Sequence, residues 1–209
     1  MKKLALMVGI VACAAVVSAQ TVTSANIVGY AKVQAVGGHL TLVALNFDTG
    51  GLTLDDLFGN LPSGSAVHLW DKSAGIYRTS NLGRGGFSPN LVLQMGDACW
   101  IEAAGTGTNE IILSGDVLMD ETNTVAVSAG IEGTGYFYPV ATRWGDTDLA
   151  AQLPSGSRFH VWNGTGYDSY TKGRGGWGTG DNATIDVAQG FWVEAAAGFT
   201  WSEVRPFTP

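Results

Sequence analysis

Apolar and polar positions alternate with a period of two in several short runs along the chain. Val67 and Leu69 fall on one parity and His68 and Trp70 on the other, which predicts a strand with two differently dressed faces. Residues 40–45 (LTLVAL) and 136–140 (YFYPV) are compact apolar runs rich in β-branched and aromatic side chains, and they too predict strands. Residues 21–36 predict another, with Val28, Tyr30 and Val33 as apolar members. Breaks at Asp71–Gly75 and Asn163–Gly166 have the composition of hairpin turns. Helical signals are confined to two short stretches, 53–58 and 146–151. In the first, Thr53 and Asp56 form a capping pair, and acidic residues in a first turn favour the helix dipole. A Leu-Pro-Ser-Gly bend at Pro62 or Pro154 stops each of them.

Those elements occur twice. Leu61-Pro62-Ser63-Gly64-Ser65 recurs letter for letter as Leu153-Pro154-Ser155-Gly156-Ser157, an offset of 92, and Trp100-Ile101-Glu102-Ala103-Ala104 meets Trp192-Val193-Glu194-Ala195-Ala196 at the same offset. Between them Gly83-Arg84-Gly85-Gly86-Phe87 meets Gly173-Arg174-Gly175-Gly176-Trp177 at 90, with Tyr77 meeting Tyr167. Upstream, Val43-Ala44 aligns with Val140-Ala141 and Phe47 with Trp144 at an offset of 97. Matched blocks in conserved order, with small offset changes, describe a duplication with loop-length differences. The expected architecture is all-β: two tandem copies, each a β-sandwich or β-barrel with one short helical turn. Residues 1–19 read as a signal peptide, 20–120 as copy one and 121–209 as copy two.

The leader reading rests on Lys2 and Lys3, the apolar run Leu4–Val17 and the small residues Val17-Ser18-Ala19 before Gln20. That run is too short for a membrane span. Ile10-Val11-Ala12-Cys13 also fits a lipobox, but the chain stays apolar after Cys13, so soluble export is the preferred reading and a lipid anchor the minor one. Composition agrees with many turns and short strands, since 30 of 209 residues are glycine and only 14% are charged. Without Lys2 and Lys3, nine basic residues face 18 acidic ones, a balance that disfavours nucleic acid as a partner. With Cys13 in the leader, Cys99 stands alone and predicts no internal disulfide.

The ordered set of Asn26-Ile27-Val28-Gly29-Tyr30, LPSGS with HLW, a tyrosine, GRGGF, and then GDACWIEA or AQGFWVEA resembles a group of secreted tandem β-repeat proteins from environmental Gram-negative bacteria of verrucomicrobial type. The resemblance implies export and a β-rich fold, and it carries over no catalytic residues. Copy one departs from the pattern at Asp97-Ala98-Cys99, where copy two has Gln189-Gly190-Phe191.

The candidate chemistry is sparse. GRGG is followed by neither a helix nor a Lys-Ser or Lys-Thr pair, so it lacks the context of a phosphate loop. His68 and His160 are repeat equivalents on strands, and the acidic pairs lack the alternation of a calcium loop, so no metal site and no cofactor are expected. Glu102 and Glu194 are explained by duplication, and no nucleophile–base set is legible. The expectation is a non-catalytic exported protein acting as a structural or adhesive component of the cell surface or matrix, with itself as a partner through exposed strand edges. The alternative is a carbohydrate-binding module for surface polysaccharide. It would use the turn-borne aromatics Phe87 and Trp177 with Arg84 and Arg174, while Trp70, Trp100, Trp162 and Trp192 are expected in the core.

Overall fold

The computed structural model describes residues 27–208. The leader, Cys13 and residues 21–26 of the first expected strand lie outside the described residues. Copy one contains β1 (Val28–Val36), β2 (Leu40–Ala44), α1 (Leu54–Phe58), β3 (Ala66–Asp71), β4 (Ile76–Gly83), β5 (Gly86–Ser88), β6 (Ala98–Glu102) and β7 (Thr108–Asp116). Copy two contains β8 (Thr122–Val127), β9 (Gly130–Gly135), β10 (Thr142–Arg143), α2 (Asp148–Gln152), β11 (Arg158–Trp162), β12 (Tyr167–Thr171), β13 (Thr184–Ile185), β14 (Gly190–Ala195) and β15 (Phe199–Val204). The fold is all-β and sandwich-type, and among the described residues no sheet closes into a barrel. No helix there is long and apolar enough to cross a membrane.

Each copy has the same layers. In copy one an antiparallel sheet in the order β2-β6-β3-β4-β5 lies opposite the two-stranded ribbon β1-β7. Between them sits one core: Ala31 and Ala35 from β1, Ile111 and Leu113 from β7, Val43, Val67, Cys99 and Ile101 from the sheet, and Leu54, Leu57 and Phe58 from α1. In copy two the sheet order is β12-β11-β14-β9, the ribbon is β15-β8, and the core holds Trp144, Phe159, Phe191, Val193 and Trp201. The expected two-faced strand is present: Val67 and Leu69 pack into the core of copy one, and His68 and Trp70 face away from it. The capping pair of α1 is present as well. The Asp56 carboxylate accepts from Thr53 N (2.9 Å) and Oγ1 (2.7 Å), which lowers its pKa. Burial pushes the Cys99 thiol up to about 12, so it packs as an inert small apolar group.

Two features differ from the sequence expectation. The apolar run 136–140 is not a strand. Tyr136, Phe137 and Tyr138 cross the copy-two core as irregular backbone, and the strand precedes them in the glycine-rich GIEGTG of β9. Leu40 faces Glu102 as Ile131 faces Glu194, so β2 corresponds to β9 at an offset of 91 rather than 97. The second feature is β8, which has little apolar alternation yet pairs along its whole length with β15.

The GRGG segments are tight turns. In copy one Gly83 pairs with Gly86 at the β4–β5 hairpin; in copy two Gly173 and Gly176 form an isolated bridge. Gly86 has φ +103°, and a Cβ there would stand 2.7 Å from the Asp55 carboxylate, which accepts the Phe87 N–H at 2.6 Å. Gly85 has nothing within 4 Å. Gly86→Ala is therefore expected to cost at least about 2 kcal/mol in denaturant unfolding, against less than about 0.5 kcal/mol for Gly85→Ala. Equal losses at the two positions would contradict this account of the turn.

Candidate aromatic cleft between the copies

The second face of each large sheet is turned toward the other copy, and the two meet through small residues. Leu42, Ala44 and Ala98 of copy one lie against Gly135 and Gly190 of copy two. A Cβ on Gly190 would come within 2.9 Å of Leu42 Cγ and 3.1 Å of Ala98 Cβ. Backbone bonds cross the junction in matched pairs. Ala44 N donates to Ala188 O (2.9 Å) and its counterpart Gly135 N donates to Gly96 O (3.0 Å). Val43 bridges Gln189 as Thr134 bridges Asp97. Ala188 packs into the core of copy one, while Met95 packs against the core of copy two. The chain is therefore one pseudo-two-fold body in which each copy inserts a loop into its twin. The buried Asn46 adds a further clasp, donating to Tyr136 O and accepting from Ala188 N (2.6 Å). Lys72 also reaches across to Glu132 (2.6 Å) and Ser128 O (3.0 Å).

Around that small-residue centre stand six aromatic side chains, three from each copy. Trp70 meets Trp192 edge-on with centroids 5.9 Å apart, and the symmetry-related pair Trp162 and Trp100 does the same at 5.0 Å. Tyr77 lies 5.1 Å from Trp70 and 6.2 Å from Trp192; Tyr167 lies 5.3 Å from Trp162 and 6.2 Å from Trp100. These are favoured T-shaped geometries that hold the rings without help from loops. Tyr77 and Tyr167 remain 43% and 44% exposed, and Leu40 and Ile131 beside them are also exposed. The rings line two hollows. One, of about 540 Å³, carries Trp100, Trp162, His68 and Glu102; the other, of about 220 Å³, carries Trp70, Trp192 and His160; Tyr77 and Tyr167 line both. Trp70 Nε1 donates to Ile131 O at 3.3 Å, whereas the equivalent Trp162 Nε1 has no partner among the described residues.

The polar groups of the cleft come from cross-strand neighbours. His68 Nδ1 pairs with Thr79 Oγ1 (2.9 Å) and its Nε2 faces Glu102 Oε2 (3.4 Å). In copy two His160 Nδ1 pairs with Ser169 Oγ (2.7 Å), while Glu194 is drawn to Arg158 (3.1 Å). Burial lowers the His160 pKa, so its imidazole is neutral at neutral pH, and burial together with the nearby Tyr77 pushes the Tyr167 hydroxyl up to about 12. These hydroxyl–imidazole pairs fall directly opposite one another in the β3–β4 and β11–β12 ladders. Their contact is that of ordinary cross-strand partners. The arrangement offers aromatic faces, two tyrosine hydroxyls and hydrogen-bonding imidazoles on a rigid floor.

The sequence-level site residues are placed elsewhere. Phe87 and Trp177 are each 5% exposed, one in the core of copy one and the other in that of copy two, where Trp177 Nε1 donates to Ala150 O (3.0 Å). The glycine turn before each ring folds it inward, so neither offers a surface platform. Arg84 and Arg174 stand on exposed turn tips away from any exposed ring of their own turn. The tryptophans expected in a core are indeed packed together, but between the copies rather than inside them. The repeat-equivalent HLW, HVW and WIEA, WVEA motifs were the available signal for this cleft; what they lacked was any statement that the two faces meet. Comparison with family models, with curated proteins and with solved structures finds no match to this chain.

Proposed function

We propose that this is a non-catalytic exported protein that acts as an adhesive component of the cell surface or surrounding matrix, holding polysaccharide in the aromatic cleft between its two copies. The supporting observation is the pair Tyr77 and Tyr167: two half-exposed rings, fixed by tryptophans on rigid strands, beside polar groups that can exchange hydrogen bonds with hydroxyls. Rigid aromatic rings offer large contact area at small entropic cost, which suits stacking on the apolar faces of sugar rings. At the outer edge of the copy-two sheet, pairing with a neighbouring strand is blunted, because β12 has only five residues and carries Asp168. The non-catalytic reading rests on the same geometry: Ser169 with His160 and Thr79 with His68 are ordinary cross-strand partners in their ladders.

The mature protein is expected to co-sediment with an insoluble polysaccharide, and Tyr77→Ala/Tyr167→Ala is expected to lower retention at least about tenfold, the loss of about 1.4 kcal/mol. Near-UV dichroism of the variant should show the remaining tryptophans still packed. Retention unchanged in that variant would remove the cleft from the function.

A further inference from the structure

The two hollows are built from equivalent residues, yet one substitution makes them chemically unequal. Position 158 in copy two is arginine, and it holds Glu194 in an ion pair at 3.1 Å. The equivalent position in copy one, in the same register opposite Glu102, is Ala66. Glu102 therefore has no cation on its own sheet at that place. Its side chain is 59% exposed on the rim of the larger hollow, with His68 at 3.4 Å as its neighbour. A carboxylate in this position offers two acceptor oxygens to a pair of adjacent hydroxyls. The same charge, on a chain with an excess of acidic residues, repels an anionic ligand.

The sizes of the hollows point the same way. Ligand pockets usually measure about 300–1,000 Å³. The larger hollow falls inside that range and the smaller below it, while Tyr77 and Tyr167 belong to both. A compact ligand would fill the larger hollow alone. A chain of rings would lie across the two tyrosines and use both.

We propose, building on the cleft reading above, that the ligand is a neutral, linear glycan of at least two sugar rings, lying across Tyr77 and Tyr167 with vicinal hydroxyls of one ring held by Glu102. Glu102 is then the residue that sets specificity and orientation, and Glu194, its repeat twin, is a surface ion-pair partner without a role in recognition.

The test is titration calorimetry of the mature full chain with neutral β-1,4-glucan, β-1,4-xylan, β-1,4-mannan and β-1,3-glucan hexasaccharides, their monosaccharides, and a galacturonate hexamer. At least one neutral hexasaccharide should bind about tenfold or more tighter than its monosaccharide, with the acidic hexamer weakest. Glu102→Ala should weaken that binding about tenfold, on the scale of a hydrogen bond to a charged group. Glu102→Gln, which keeps one acceptor and the side-chain shape, should weaken it less, and Glu194→Ala by less than about twofold. Monosaccharide binding as tight as the hexamer, preference for the acidic hexamer, or equal losses in Glu102→Ala and Glu194→Ala would overturn this inference and leave the cleft reading standing. No binding by any neutral glycan would overturn both.

Discussion

Replacing Glu203 by alanine is expected to destabilise the protein by about 3–5 kcal/mol, because several buried donors lose their only acceptor at about 1–3 kcal/mol each. Glu203 is 2% exposed, and its carboxylate accepts four hydrogen bonds: from Tyr136 Oη (2.9 Å), Trp201 Nε1 (2.7 Å), Asp148 N (3.1 Å) and Leu149 N (3.0 Å). It thereby joins β15, the irregular segment that crosses the core, and the first turn of α2. The equivalent residue in copy one is Leu113, which simply fills the core. Glu203→Leu should therefore fail as badly as alanine, because all four donors would be left buried without an acceptor. Denaturant unfolding checks both variants, and a loss below about 1 kcal/mol would show that water or local relaxation replaces the carboxylate.

The same residue makes a prediction about pH. Burial raises the Glu203 pKa above its ordinary value of 4.5, against the opposing pull of its hydrogen bonds. The folded chain then binds this proton more tightly than the unfolded chain. Its contribution to stability rises as pH falls from neutral through the raised value and levels off below 4.5. His160 has the opposite sign: burial lowers its pKa, so the unfolded chain protonates first and stability falls as pH drops through 6.5. Subtracting the profile of Glu203→Gln from that of the wild type isolates the carboxyl term, and the wild-type advantage should widen toward acid. An advantage that widens toward alkali would mean that the four hydrogen bonds outweigh burial.

The second large effect lies at the junction. A methyl group on Gly135 would overlap the methyl of Ala44, so Gly135→Ala is expected to cost about 1–3 kcal/mol by overpacking, and Gly135→Val to force the copies apart. Ala44 and Gly135 are themselves equivalent positions, alanine in one copy and glycine in the other. The reciprocal double variant Ala44→Gly/Gly135→Ala moves the methyl to the opposite side, where it would lie 3.7 Å from the remaining Cα and 3.3 Å from Asn46 Nδ2, a contact that a small shift of the amide relieves. It should recover most of the loss, which a double-mutant cycle measures directly. Because the cleft draws its rings from both copies, Gly135→Val should also abolish glycan retention even if each copy stays folded. Retention intact in a Gly135→Val protein would mean that one copy carries the site alone.

Much of this molecule is legible in the chain. Letter-for-letter recurrence established the duplication. The period of two separated Val67 and Leu69 from His68 and Trp70, and the Thr53–Asp56 pair and Pro62 bounded a one-turn helix. Those are local signals, carried by side-chain alternation and capping chemistry. The glycine-rich β9 was not legible as a strand, because its pairing answers the need for close approach to Trp192 and Ala44 rather than intrinsic β preference. Residues 136–140 misled for the converse reason: an apolar run of strand length suits any buried segment.

The candidate site divides along the same line. The sequence by itself determined that two copies of one β-unit carry matching aromatics, and that no dense charge or cysteine framework supports them. Whether an aromatic is exposed was beyond it, since the glycine turns before Phe87 and Trp177 serve equally to expose a ring or to tuck one inward. Only the tertiary structure decided that those rings are core and that Trp70, Tyr77, Trp100, Trp162, Tyr167 and Trp192 converge. The physical reason is that convergence depends on how two sheet faces approach. That approach is set by small residues at Ala44, Ala98, Gly135 and Gly190, whose contribution is the absence of side-chain volume and leaves no local pattern to read.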